Sequence, residues 1–109
     1  MRTLIIAALA CSVIAGCNRK DERILFDGQA FRAKATHVEK SDRRDFVASV
    51  SPVSASLEGA REAGRYEGTK YCINEYGTSQ ITWTASPDAE PQAWTLDRDT
   101  VTFAGRCEP

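Results

Sequence analysis

Residues 57–76 read LEGAREAGRYEGTKYCINEY and carry a clear helical pattern. Small and apolar residues recur there every three or four positions, which is the period of an amphipathic helix. The predicted inner face consists of Leu57, Ala60, Gly64, Gly68, Tyr71 and Cys72. Ser54 or Ser56 is expected to cap the first turn, and Gly77 to end the last. Because glycine inside a helix costs about 1 kcal/mol relative to alanine, the two inner glycines indicate that the helix closely approaches a sheet.

Strand patterns lie on both sides of this helix. Asp27-Gly28 predicts a tight hairpin turn, since a type I′ turn requires positive φ angles. Elsewhere, alternation of apolar and polar residues predicts half-buried strands. The expected strands are 24–26, 31–36, 46–50, 80–84 and 100–104, with a short one at 94–96 and a charged turn at 39–44. We therefore predict an α+β fold, an antiparallel sheet of about five strands in the order β-β-β-α-β-β with one helix packed on one face.

The first residues have the pattern of a secretory signal peptide. Arg2 gives a positive start, and the apolar run at 4–14 is too short to span a bilayer, which requires about 20 apolar residues. The run ends in IAGC at 14–17, which resembles the lipobox of bacterial lipoproteins. That resemblance implies that Cys17 receives a diacylglyceryl group, that the chain is cleaved before it and that the new amino group is acylated. Cys11 is the alternative lipidation site, although a bulky leucine lies beside the cut that it would require.

The lipobox also divides the chain and implies a location. The predicted parts are a cleaved signal peptide at 1–16, the lipidated Cys17 with a short tether at 17–23, and a single periplasmic domain at 24–109. Lipoproteins with aspartate after the lipidated cysteine are typically retained at the inner membrane, whereas this chain has Asn18. The resemblance therefore implies anchoring in the outer membrane, with the domain on the periplasmic face.

Two cysteines remain in the exported domain, Cys72 and Cys107. An exported pair in an oxidising compartment indicates a disulfide. Closing a loop of about 35 residues would stabilise the domain by roughly 3–4 kcal/mol. Cys72 lies on the inner helix face, and Cys107 has the inward phase of Val101 and Phe103, so both thiols are expected to point into one layer. No Cys-x-x-Cys motif supports the alternative of a redox-active pair.

Residues 59–83 resemble a group of small lipoproteins of alphaproteobacterial type. The matching features are the helix, Tyr71-Cys72, Tyr76-Gly77 and Ile81-Thr82-Trp83. The similarity extends over most of the domain at 24–109. It implies a lipoprotein and carries no activity to any residue.

Charges and candidate catalytic residues favour a non-catalytic protein. The 14 basic and 15 acidic residues nearly balance, which argues against nucleic-acid binding. His37 is the single histidine and has no neighbour at metal-ligand spacing. Carboxylates lie close together at Asp42 and Asp45 and at Asp97 and Asp99, but arginines are interleaved with them, so solvated, self-neutralising turns are expected. We expect neither catalysis nor a bound metal or cofactor.

Aromatic side chains are the remaining candidates for a binding surface, because tyrosine and tryptophan are enriched at interface hot spots. The candidate binding residues are Tyr66, Tyr76 and Trp94, from a set that also includes Tyr71 and Trp83. The alternative is that these rings pack the rims of a small core and keep their polar tips in water.

These observations predict a lipid-anchored accessory or binding module of the cell envelope, with an envelope protein as its partner. The alternative is a lipoprotein inhibitor of an envelope-degrading enzyme, similar in size and anchoring to the lipoproteins that inhibit lysozyme. Those inhibitors are all-β, and the predicted helix counts against that alternative. A hydrolase or transferase that acts on the envelope is the third class.

Overall fold

A computed structural model describes residues 24–109 of the chain, so the predicted signal peptide, Cys17 and the tether lie outside the described residues. The elements in chain order are β1 (Arg32–Glu39), β2 (Asp42–Ser51), α1 (Leu57–Tyr76), β3 (Ile81–Ala85), β4 (Thr95–Asp97) and β5 (Thr100–Cys107). They form one antiparallel sheet of five strands, with α1 packed on one face. The predicted fold class is confirmed.

The order of the strands makes β1 an edge strand. The sheet runs β1-β2-β5-β3, and β4 also pairs with β5. β2 occupies one side of β5 along most of its length, so β3 and β4 share the other side. In the sheet formed by residues 24–109, β1 therefore has a neighbour, β2, on one side alone.

The order of the strands along the chain differs from the prediction by one strand. Two strands precede the helix and three follow it, whereas three and two were predicted. The first predicted strand contributes a single β-bridge, between Phe26 and Gln29. The turn between them is present as predicted, with φ angles of 56° at Asp27 and 72° at Gly28. The Phe31 ring that follows lies against the start of the helix, where a Cβ atom on Gly59 would approach it to 2.8 Å. The short segment after the proline-rich loop supplies the fifth strand, β4.

The predicted charged turn at 39–44 is also shorter than expected, since β2 begins at Asp42. Cross-strand ion pairs explain the difference. Arg106 on β5 extends its Nη1 atom to within 3.1 Å of Asp45 Oδ1 and 3.4 Å of Asp42 Oδ2. These contacts hold charged residues within the sheet where the sequence pattern alone indicates a turn.

Helix α1 begins and ends where the sequence predicts. Ser56 is the N-cap, because its Oγ accepts a hydrogen bond of 2.9 Å from the Gly59 N–H. Gly77 ends the helix with a φ angle of 71°. The prediction for Leu57 is wrong, since this side chain is 48% exposed. Leu57 lies seven positions before Gly64 and so shares its helical face, but it is the first residue of the helix, where Gly59 and Ala60 are the buried residues.

Close contact between helix and sheet is confirmed at both inner glycines. A Cβ atom on Gly68 would lie 2.6 Å from the Trp83 ring and 3.0 Å from the Phe46 ring, and one on Gly64 would overlap the Phe103 ring. The aromatic rings therefore lie directly against the helix backbone, which is possible only without side chains at these positions.

The predicted disulfide is present and joins Cys72 to Cys107, with their Cα atoms 5.5 Å apart. Both cysteines are fully buried in a cluster with Phe46 and Tyr71. The predicted inward phase of β5 is also confirmed, because β5 alternates between buried and half-buried residues up to Cys107. The bridge thus fixes the last turns of α1 to the end of β5.

Candidate functional site

An open groove of about 700 Å³ lies beside the edge strand β1. Helix α1 forms one wall with Tyr66, Glu67 and Lys70. Neighbouring residues from both faces of β1 line the groove, with Ala33 on the helix side and Lys34 on the opposite side. Ser49 and Ser51 of β2 also line it on the opposite side, so the cavity extends around the edge strand from one face of the sheet to the other.

Aromatic rings form the apolar end of the groove. The ring centroids of Phe26 and Tyr66 are 5.7 Å apart, and those of Phe26 and Phe31 are 6.4 Å apart. Tyr66 remains 38% exposed, and the Lys70 ammonium lies 5.5 Å from its ring centroid. An apolar side chain of a bound partner can therefore reach these rings from solvent.

The turn at residues 26–29 is held in place by the start of the helix. Ser56 Oγ donates a hydrogen bond of 2.7 Å to Asp27 Oδ2, in addition to accepting one from Gly59. The Phe26 carbonyl oxygen also lies against Gly59, where a Cβ atom would approach it to 2.6 Å. The N-cap of α1 thereby positions the aromatic end of the groove.

Toward the end of β1 a second, smaller groove of about 280 Å³ continues along the same strand and helix. It shares Glu67 and Lys70 with the first groove and is lined further on by His37 and Asn74. The two grooves together follow the free edge of β1 for most of its length.

The rim of the larger groove carries positive charge. Among residues 24–109, no ion pair includes Arg32 or Lys34. Lys70 Nζ lies 3.6 Å from Glu67 Oε1, so these two charges offset each other. The net charge at this rim therefore comes from Arg32 and Lys34, whose side chains are exposed.

No family model, curated protein or solved structure matches this chain. A function for the groove therefore has to come from the chemistry of its own residues.

The three predicted binding residues lie in different places. Tyr66 lines the groove, as described above. Tyr76 is half-buried against the disulfide cluster and is separate from the groove. Trp94 is 8% exposed and belongs to the core, where its ring packs edge-on against Phe103 at 5.2 Å and its Nε1–H donates to the Ala89 carbonyl at 3.1 Å. Burial therefore removes Trp94 from any accessible binding surface and favours the packing interpretation for this ring.

The carboxylates considered for catalysis have structural partners. Arg44 donates hydrogen bonds to Asp42 from its side chain and backbone, which lowers the pKa of the Asp42 carboxyl below its ordinary value. The hydrogen bond to Asp45 raises the pKa of the Arg106 guanidinium. Asp99 accepts a bond of 2.9 Å from the Ser54 N–H and another from its hydroxyl.

These contacts hold β2 to β5 and the final turn to residues 53–55. Asp99 lies in a turn as predicted, although its partner is Ser54 and not an arginine. Asp42 is paired with Arg44 as predicted, but it lies within β2 and not in a turn. His37 lines the smaller groove. Within residues 24–109, no three metal-binding side chains lie together.

Tyr71 attaches the C-terminal part of α1 to strand β2. Its hydroxyl donates a hydrogen bond of 2.6 Å to the Arg43 carbonyl oxygen on β2. Burial raises the pKa of this hydroxyl, which therefore remains a proton donor. Tyr71 therefore packs and forms its hydrogen bond within the fold, whereas Tyr66, on the same helix, lines the groove.

Sequence patterns did not identify Phe26, Phe31 and Lys34 as parts of a site. Alternation did place Phe31 and Lys34 on opposite faces of a strand. The signal that was missing is the position of β1 at the edge, which depends on long-range pairing.

No helix in the described part of the chain is long and apolar enough to cross a bilayer.

Proposed function

We propose that this protein is a lipid-anchored binding module of the cell envelope, attached through Cys17 to the outer membrane on its periplasmic face. The groove beside β1 is its binding surface. The observation that carries the binding role is an accessible groove with an aromatic end and an uncompensated positive rim. The IAGC motif supports the anchor, and the Cys72–Cys107 disulfide suits an oxidising compartment.

The anchor places this groove near the membrane. Ile24 lines the groove, and the chain from Cys17 to Ile24 spans at most about 25 Å when extended. A partner in the groove would therefore be held close to the bilayer surface. An accessory role for an envelope protein with a segment near the membrane fits this geometry.

Metabolic labelling with an alkyne analogue of palmitate tests the anchor. Cys17→Ser should abolish the label and leave the uncleaved precursor. Cys11→Ser is the matched control and should retain both labelling and cleavage. Persistent labelling of the Cys17→Ser variant would contradict the assignment and indicate Cys11.

Membrane fractionation tests the location. The wild-type protein should separate with the outer membrane on a density gradient. Asn18→Asp should shift it toward the inner membrane, because aspartate at this position is typical of lipoproteins retained there. Wild-type protein found in the inner-membrane fraction would contradict the proposed location.

An assay with lysozyme separates the accessory role from the alternative inhibitor role. The lipidated protein, solubilised in detergent, should leave the rate of cell-wall lysis unchanged. Stoichiometric inhibition would contradict the accessory role and favour the inhibitor.

A further inference from the structure

The free edge of β1 offers backbone hydrogen-bonding groups over its whole length. The strand has eight residues, which corresponds to about 26 Å. Alternate residues pair with β2 and the others direct N–H and C=O groups away from the described sheet. An edge of this kind is a template for one further strand.

An added strand at this edge would have two chemically different faces. Its side chains alternate between the helix side and the opposite side of the sheet. On the helix side they would meet Phe31, Ala33 and Tyr66. On the opposite side they would lie beside Arg32 and Lys34. Apolar residues suit the first environment and acidic residues suit the second.

We propose that the groove binds an extended polypeptide segment as an added strand of the sheet, and that this segment alternates apolar with acidic side chains. The proposal rests on the proposed function of a binding module and names its partner class. Main-chain hydrogen bonds to β1 supply affinity, and the two sets of side-chain contacts supply specificity.

Other occupants fit the groove less well. The tether at 18–23 reads NRKDER and contains no apolar residue for the aromatic end. In a second copy paired through its own β1 about Ala35, the two Lys34 side chains would lie at diagonal positions on one face. Like charges so close together repel, which disfavours that dimer.

Fluorescence anisotropy with defined peptides tests the proposal on the full lipidated protein in detergent. The probe is a labelled seven-residue peptide that alternates valine with glutamate, and its control alternates valine with lysine. The acidic peptide should bind at least about tenfold more tightly than the basic one, because the rim is positive.

Backbone methylation tests whether the peptide adds as a strand. In an extended peptide, the N–H groups of alternate residues point to the same side. N-methylation of all valines or of all glutamates therefore removes the hydrogen bonds on one side alone. One pattern should abolish binding and the other should preserve it. Equal binding of both methylated peptides would overturn the added-strand geometry.

Charge reversal locates the site. Lys34→Glu should weaken binding of the acidic peptide about tenfold and strengthen binding of the basic peptide, a gain that only a folded protein can show. Lys40→Glu makes the same charge change in the turn after β1, outside the lining of the groove, and should change either affinity less than about twofold. The same affinities for wild type and Lys34→Glu would overturn the proposal.

Two further results would also overturn it. The first is the absence of acidic-peptide binding, both in the wild type and in a variant whose residues 18–23 are replaced by glycine and serine. The second is a protein that sediments as a dimer and binds no peptide, which would indicate a second copy in the groove.

The Cys17 label is measured in the same preparations. Lost peptide binding with intact labelling overturns the groove proposal alone, and peptide binding without labelling supports the groove while contradicting the anchor.

Discussion

The two sides of helix α1 differ in how closely they approach the sheet. On the closed side, Gly64 and Gly68 bring the helix backbone against the rings of Phe103, Phe46 and Trp83. On the open side, the longer side chains of α1 border a groove of about 700 Å³ beside β1. The choice of small or long side chains at helical spacing therefore decides where the helix closes on the sheet and where a cavity remains.

This difference separates stability from binding within one helix. The closed side contains fully buried rings and the disulfide, so substitutions there are expected to lower the free energy of unfolding. The open side is solvated at Lys70 and half-exposed at Tyr66, so substitutions there are expected to change affinity and leave the fold intact.

Removal of the disulfide should have the largest effect on the closed side. The bridge spans 35 positions of the chain, so the variant with both Cys72→Ala and Cys107→Ala should lose about 3–4 kcal/mol of unfolding free energy. Urea denaturation followed by circular dichroism measures the loss. Wild-type protein reduced with dithiothreitol is the comparison and should lose a similar amount. A loss below about 1 kcal/mol would show that packing alone holds the closed side.

A methyl group on the closed side should have the next largest effect. Gly64→Ala places a Cβ atom into the Phe103 ring, which is itself packed edge-on by Trp94. Overpacking of about 1–3 kcal/mol, partly offset by the better helix propensity of alanine, predicts a net loss of about 1–2 kcal/mol in the same denaturation experiment.

Lys70→Ala is the matched control on the open side of the helix. Its side chain is exposed, so its unfolding free energy should stay within about 0.5 kcal/mol of wild type. If Gly64→Ala proved as stable as Lys70→Ala, the two sides of the helix would not differ in packing.

The closed side was largely predictable from the sequence, because its determinants are local. Gly64 and Gly68 lie on one helical face, and Cys72 shares that face, so close approach and the disulfide follow from periodicity. Cys107 follows from the period of β5. Leu57 was misplaced because a pattern at helical spacing does not show where the sheet ends.

The open side could not be predicted, because it depends on which strand lies at the edge. Alternation describes Phe31 and Lys34 equally well in a central strand. Trp94 was similarly ambiguous, since its burial depends on packing with Phe103 of β5 and with Ala60 and Ala63 of the helix. Long-range pairing decides these features, and local patterns contain little information about it.

The N-cap residue Ser56 contacts both the helix backbone and the turn beside the groove. Its loss should lower the unfolding free energy less than Gly64→Ala does. Ser56→Ala removes the hydrogen bonds to Gly59 and Asp27, which should lower the unfolding free energy by about 1 kcal/mol. The same variant should weaken binding of the acidic peptide, because the turn that carries Phe26 loses its contact with the helix.

Ser54→Ala is the control for the N-cap, since Ser54 bonds to Asp99 and does not cap the helix. It should leave peptide affinity unchanged. Equal loss of affinity in both variants would contradict a specific role of the cap in forming the open side.

The smallest effect concerns the sheet face that α1 leaves uncovered, where Asp42 lies beside Arg44 and Arg106. Hydrogen bonds from Arg44 lower the folded-state pKa of Asp42 below its ordinary value of 3.8. The ionised form is therefore favoured by folding. Its contribution is fully present above the unfolded-state pKa and is lost as the pH falls through the lower folded-state pKa.

Thermal unfolding between about pH 2 and pH 7 measures this contribution. The Tm of wild type should exceed that of Asp42→Asn at neutral pH, and the difference should shrink below about pH 4. Added salt should reduce the difference at neutral pH, because these charges are open to solvent. A difference that persisted unchanged at the acid end would show that Asp42 acts through packing and not through charge. Exposed ion pairs contribute little compared with a tightly packed helix and sheet, so Asp42→Asn should lower the Tm at neutral pH less than Gly64→Ala does. A larger decrease in Tm for Asp42→Asn would place the main stabilising contacts on the uncovered face.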